Sequence, residues 1–154
     1  MAFALERDAD GELTAHLEDE AATLRLGAML AGVLRPGLKI YLSGELGAGK
    51  TCFVQGVARA LGVPGRPLSP TFTLVNEYRG ARSVYHVDAY RTENLAELLD
   101  LGLEEYFDGD GVTLVEWAEK LIPLLPPRAI CVRIEGVGDQ PRIITVRRPT
   151  GAEP

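Results

Sequence analysis

The chain is poor in cysteine, with Cys52 and Cys131 as its only two. Two thiols this far apart make neither a disulfide framework nor a zinc site, so the fold must rest on its core. No apolar run approaches the ~18 residues of a membrane-spanning helix. The opening Met1-Ala2-Phe3-Ala4-Leu5-Glu6-Arg7-Asp8 lacks a basic region followed by an apolar stretch, so no secretory signal is read there. Positive charge is in deficit: 16 Lys and Arg face 22 Asp and Glu, a net charge of −6. Proteins whose main work is gripping nucleic-acid backbone carry clustered positive charge instead. Internal repeats and low-complexity tracts are also missing. The expectation is one cytoplasmic domain over residues 1–154, its last few residues a flexible tail.

What is present is an ordinary globular composition, 46% hydrophobic and 25% charged over 154 residues. A chain of that length buries roughly 68–70% of its unfolded surface, enough for a real core. Charge is unevenly spread. Ten acids stand against Arg91 alone between Asp88 and Glu119, while five of the thirteen arginines lie from Arg128 onward. The acidic stretch from Asp100 to Asp110 is a solvated face or a docking surface.

Hydrophobic spacing predicts the elements. Ala21, Leu24 and Ala28, with Leu17, Leu26 and Leu30 nearby, recur at helical intervals over Glu18 to Leu34, and Arg35-Pro36-Gly37 ends that helix. Leu38 to Leu42 reads as a buried strand, and Thr51 to Leu61 as a helix closed by Gly62 and Pro64. Phe72 to Tyr78 and Ser83 to Val87 read as a hairpin around Arg79-Gly80-Ala81-Arg82. Short helices are expected at Leu95 to Leu99 and Trp117 to Ile122, and a strand at Val112 to Val115. Ala129 to Ile134 and Ile143 to Val146 read as antiparallel neighbours joined by Gly136 to Gln140. The fold class is therefore α/β: central parallel strands with antiparallel additions.

Between the first strand and second helix lies Gly44-Glu45-Leu46-Gly47-Ala48-Gly49-Lys50-Thr51, which fits G-x-x-x-x-G-K-[ST]. Glycines let successive N–H groups turn inward around phosphate oxygens, and the following helix points its positive end at the same anion. In such a loop Lys50 bridges the β and γ phosphates of a nucleotide and the Thr51 hydroxyl ligates Mg²⁺. With this composition a chance match is expected on the order of a few times in a thousand chains. Strand–loop–helix context strengthens the match, and gives the fold a P-loop NTPase-like three-layer sandwich as its expected form.

Such a site also needs an acid on a neighbouring strand. Two candidates end apolar strands: Glu116 after Val112-Thr113-Leu114-Val115, and Asp88 after Val84-Tyr85-His86-Val87. His86 is either a hydrogen-bonded structural residue or a base. No Asn is followed by Lys, so the N-K-x-D motif of guanine-specific switches is absent and adenine is the better fit. A small-molecule kinase needs a basic lid, for which Arg79, Arg82 and Arg91 are candidates, but no acceptor site stands out. No arginine finger is evident, so a lone P-loop ATPase of this kind should turn over slowly.

Four motifs together make the resemblance specific: the P-loop, Ser69-Pro70-Thr71-Phe72-Thr73-Leu74-Val75, His86-Val87-Asp88-Ala89-Tyr90-Arg91 and Val115-Glu116-Trp117-Ala118-Glu119. In this order they resemble the TsaE (YjeE) family, small bacterial P-loop ATPases required for N6-threonylcarbamoyladenosine formation on tRNA. Asp19-Glu20-Ala21-Ala22-Thr23 is also similar. The resemblance implies weak MgATP hydrolysis stimulated by a TsaB–TsaD complex, with tRNA reached through that complex. It makes Lys50 the phosphate lysine, Thr51 and Glu116 the Mg²⁺ ligands, and Asp88 an acid needed for turnover, through either water or metal. Ser69, Pro70 and Thr71 match a switch-like loop, Trp117 an indole beside the nucleotide, and Glu20 a position near the adenine. Cys52 departs from the family's second threonine; its thiol is a weaker donor to the α-phosphate. Residues beyond about Pro123 match only in general character.

Overall fold

Strand order decides which positions are buried. The structure, a computed structural model, describes residues 3–9, 11–32, 39–45, 47–65, 75–88, 102, 110–117 and 129–147. Along these run β1 (Phe3–Arg7), β2 (Leu13–Leu17), α1 (Glu20–Ala31), β3 (Lys39–Gly44) and α2 (Lys50–Ala60). They are followed by β4 (Val75–Arg79), β5 (Ser83–Asp88), β6 (Val112–Glu116), β7 (Ala129–Glu135) and β8 (Arg142–Arg147). The strands form one sheet in the order β1-β2-β8-β7-β3-β6-β5-β4. Its centre, β7-β3-β6-β5, is parallel. β4 is added antiparallel to β5, and β8, β2 and β1 extend the other edge antiparallel. This is the expected mixed α/β sheet.

Burial follows position. Central β6 is buried along its whole length, whereas β7 alternates from Cys131 on, with Val132 and Ile134 inward and Cys131, Arg133 and Glu135 outward; Ala129, on the outward face, is buried at the strand's start. A period of two marks a strand with one covered face. The two helices pack on one another through reciprocal glycines. A Cβ on Gly27 of α1 would sit 2.5 Å from the Phe53 carbonyl oxygen, and one on Gly56 of α2 would sit 2.3 Å from that of Leu24. Only hydrogen at these positions lets the helix backbones approach so closely.

Several expectations shift. α1 starts two residues later than expected, where the Asp19 carboxylate accepts the Ala22 N–H at 2.8 Å, and it ends at Ala31 with Gly32 as its cap. Asp19 is a standard N-cap type, and an N-cap has extended backbone. The hairpin β1–β2 was not anticipated. Its turn is built by Asp8, whose carboxylate accepts the Glu12 N–H at 2.9 Å, and by Gly11 at φ +85°. Trp117 does not open a helix: its φ of +59° is left-handed backbone, which a helix excludes. The β4–β5 hairpin forms as expected. The helix at 95–99, the remainder of the expected helix after Trp117, Arg35-Pro36-Gly37, residues 72–74, Tyr90 and Arg91 lie outside the described residues, as does most of 100–110.

Candidate nucleotide site at the carboxyl edge of the sheet

All four parallel strands end on the same side, so Gly44, Asp88, Glu116 and Glu135 meet along one edge. Open α/β sheets bind ligands at this edge. The register sets Asp88 beside Glu116 and Glu116 beside Leu42. Both acids expected from the sequence therefore end strands at the edge from which the loop leaves β3.

That loop has left-handed backbone at Gly44 (φ +149°), Gly47 (+83°) and Gly49 (+103°). Gly44 also has no room for a side chain, because a Cβ would meet the Ile134 carbonyl oxygen at 2.5 Å. A Cβ on Gly47 or Gly49 would meet nothing within 4 Å among the described residues, so it is their left-handed backbone that calls for glycine. Gly49 caps α2, whose first-turn N–H groups point into the bend. Leu46 lies outside the described residues.

Lys50 is buried, and its ammonium donates to the Gly44 carbonyl at 2.6 Å and the Glu45 carbonyl at 3.0 Å. It also stands 4.0 Å above the Trp117 ring centroid, a cation–π contact. Trp117 reaches that place by adopting the positive φ that ends β6. Among the described residues it is the one non-glycine in that region, and such strain gathers at ligand-handling positions.

One residue further on, the Thr51 hydroxyl lies 3.4 Å from each carboxylate oxygen of buried Glu116. Oε2 of Glu116 is also held by Nε2 of His86 in a short hydrogen bond. His86 is fully buried, and its Nδ1 has no hydrogen-bond partner among the described residues. Burial and this bond fit His86 as a hydrogen-bonded orienter of Glu116. Thr51 and Glu116 bring hard oxygen donors together, and half-buried Asp88 stands beside Glu116 in the strand register. No cluster of three or more His, Cys, Asp or Glu able to hold a metal exists among the described residues. A hydroxyl and one carboxylate suit Mg²⁺, which keeps most of its water and takes few protein ligands beside phosphate oxygens.

Cys52 and Glu20 are brought together: the Cys52 thiol donates to the Glu20 carbonyl at 3.6 Å, tying the start of α2 to the start of α1. This places Glu20 beside the start of α2. Ser69, Pro70 and Thr71 lie outside the described residues. Arg79 and Arg82 are remote. Their hairpin docks on the far end of α2, where the Ala81 N–H donates to the Leu61 carbonyl at 2.7 Å. Eleven helical residues, ~16 Å of rise, separate it from the loop, so neither arginine is a lid.

Two features escaped the sequence. A cavity of about 680 Å³ opens between the loop and the β7–β8 turn, lined by Ser43, Glu45, Trp117, Arg133, Gly136 and Gln140 among others. Arg142, the first residue of β8, reaches the loop itself: its Nε donates to the Ala48 carbonyl at 2.9 Å. Nothing in the local sequence separates Arg142 from the other carboxyl-terminal arginines; only the β7–β8 register delivers it there.

The sheet order, the glycine bend and the helix that follows define a P-loop NTPase-like protein. Within that class the chain belongs to the TsaE family, whose model, "Threonylcarbamoyl adenosine biosynthesis protein TsaE", matches residues 17–144. It is 44% identical to the Bacillus subtilis (strain 168) "tRNA threonylcarbamoyladenosine biosynthesis protein TsaE", over 86% of this chain and 81% of that one. A Synechocystis protein of the same name is 50% identical over 71% of this chain and 72% of its own. The crystal structure of Bacillus subtilis YdiB superposes with a TM-score of 0.77 at 35% identity, covering 95% of this chain and 88% of that one.

Proposed function

We propose that the protein binds MgATP and hydrolyses it slowly, in the service of N6-threonylcarbamoyladenosine formation on tRNA, by acting on a TsaB–TsaD complex. The observation that carries the reading is the Thr51 hydroxyl 3.4 Å from both oxygens of Glu116, at the mouth of a loop whose lysine is already in place. The names of its relatives supply the pathway.

In this reading the bend from Gly44 to Thr51 wraps the β and γ phosphates with main-chain N–H groups, and Lys50 neutralises them. Thr51 and Glu116 would hold Mg²⁺, which balances charge on the phosphate oxygens. His86 fixes the carboxylate plane of Glu116. Asp88, one strand over, orients the attacking water or supports the metal's water shell. Glu20 and Cys52 mark the adenine end, and Trp117 the phosphate end. Catalysis of this kind is positioning and charge stabilisation. Arg142 faces the back of the loop with its guanidinium committed to carbonyls, so it is no finger. Slow turnover alone, raised by a partner, is the consequence.

The test is phosphate release with and without purified TsaB–TsaD and tRNA. Stimulation by the partners supports the reading. Phosphate carried to an acceptor, with little set free, would indicate a small-molecule kinase. Quenching of Trp117 by ATP with no turnover under any condition would indicate a nucleotide sensor.

A further inference from the structure

We infer that Arg142 is a positioning residue for the nucleotide, a brace that sets the phosphate loop from behind and ties it to the β7–β8 turn. The inference rests on the MgATP reading above and extends it to a residue that no motif contains. The guanidinium meets four carbonyl groups. Nε donates to Ala48 at 2.9 Å, and one terminal nitrogen donates to Gly138 at 2.9 Å and more loosely to Gly47 at 3.4 Å. The other terminal nitrogen makes a short bond to the Gln140 carbonyl. Two of these partners belong to the phosphate loop and two to the turn between β7 and β8.

The turn is a firm anchor. The Gln140 N–H donates to the Val137 carbonyl at 3.1 Å, and the Val137 N–H to the Gln140 side chain at 3.2 Å. Gly136 sits at φ +107°, where a Cβ would meet the Pro141 carbonyl oxygen at 2.4 Å. From this base the planar guanidinium fork spans to the loop, a geometry that a lysine ammonium cannot reproduce.

Planarity of the peptide gives the brace its effect. The carbonyl of Ala48 and the N–H of Gly49 share one rigid unit and point in opposite directions. Holding the carbonyl against Arg142 turns the Gly49 N–H away from the turn, the sense required of a loop that shows N–H groups to an anion. Left-handed glycines on both sides of Ala48 would otherwise let this unit rotate, since glycine crosses φ space at little cost. The fixed positive charge behind the loop also favours phosphate in front of it.

Hydrogen exchange at residues 47–51 of the nucleotide-free chain, together with MgATP affinity read from Trp117 fluorescence, tests this. Arg142→Gln should speed exchange in that segment and weaken MgATP binding at least about tenfold, the worth of one or two charged hydrogen bonds. In steady state KM should rise with kcat nearly unchanged. Arg142→Lys should recover only part of the affinity, and millimolar guanidinium should restore part of it to Arg142→Ala. Arg147→Gln, on the same strand but bonded to Glu12 at 3.0 Å, should change neither quantity. Unchanged exchange at 47–51 in Arg142→Gln overturns the brace whether or not nucleotide binds. Unchanged affinity in a wild-type background that binds MgATP overturns its role in positioning. Failure of the wild type itself to bind would instead remove the nucleotide reading, and the positioning role with it.

Discussion

At the scale of single residues the site holds one buried ammonium, Lys50, and one buried carboxylate, Glu116. Lys50 is buried, and its ammonium rests on two loop carbonyls and an indole face. Lys50→Ala removes the cation that the reading assigns to the β and γ phosphates. Two charged hydrogen bonds to phosphate, at ~1.5–3 kcal/mol each, predict a loss of ATP affinity of about a hundredfold or more. Calorimetric titration with a non-hydrolysable ATP analogue measures it, and affinity close to wild type would remove the loop assignment. Glu116→Ala should abolish both turnover and its dependence on Mg²⁺; a fully active variant would move the metal to Asp88. The same change strands Nε2 of buried His86, so urea unfolding should show a loss of about 1–3 kcal/mol. The loop and its acids were legible in the sequence because their chemistry sits in contiguous motifs at strand ends. Arg142 was not, because its partner Ala48 lies 94 positions away and only sheet register brings them together.

Secondary-structure elements tell a similar story, with packing in place of chemistry. α2, β3, β6 and β7 were readable from apolar runs bounded by glycine and proline, and their limits moved by only a residue or two. The β1–β2 hairpin was missed because its alternation is brief and only Ala15 and Leu17 of β2 are buried. The glycine contact between α1 and α2 was equally hidden, since a glycine in a helical pattern looks like a weakness. Gly→Ala within an ordinary helix stabilises by about 1 kcal/mol. At Gly27 or Gly56 the sign should reverse, costing about 1–3 kcal/mol as the helices are forced apart, because the new methyl meets backbone at 2.5 or 2.3 Å. A raised urea midpoint in either variant would contradict that packing. The β3–β7 pair carries a pH dependence of its own. Tyr41 faces Cys131 in the register; burial, and secondarily Cys131, hold the phenol well above its usual range, and burial raises the thiol. Groups whose folded pKa is raised stabilise fully below their unfolded pKa and lose that contribution as pH climbs through the folded value. Stability should therefore be flat near neutrality and fall above pH ~9–10, with a shallower fall in Tyr41→Phe, as followed by urea midpoints against pH.

Across the whole molecule the site joins residues that lie far apart along the chain. β3 and α2 contribute the loop, β5 and β6 the acids and His86, β8 the arginine behind the loop, and α1 touches α2 at Cys52. A ligand seated among them contacts native structure alone and binds nothing in the unfolded chain, so occupancy must raise the stability of the whole domain. At a hundred times its dissociation constant a ligand adds about 2.7 kcal/mol. In a domain of about 150 residues each kcal/mol moves Tm by roughly 2–4 °C, so MgATP should raise Tm by about 5–10 °C. The Mg²⁺ term can be separated in the same experiment. Without a cation the Glu116 carboxylate stands opposite the polyphosphate, and like charges oppose binding in a setting with little water. ATP with EDTA should then give a clearly smaller shift than MgATP at equal concentration, and Glu116→Gln, which is neutral, should narrow the difference between the two. Equal shifts with and without Mg²⁺ in the wild type would take the metal away from Thr51 and Glu116, and no shift with either would take the nucleotide away from the loop.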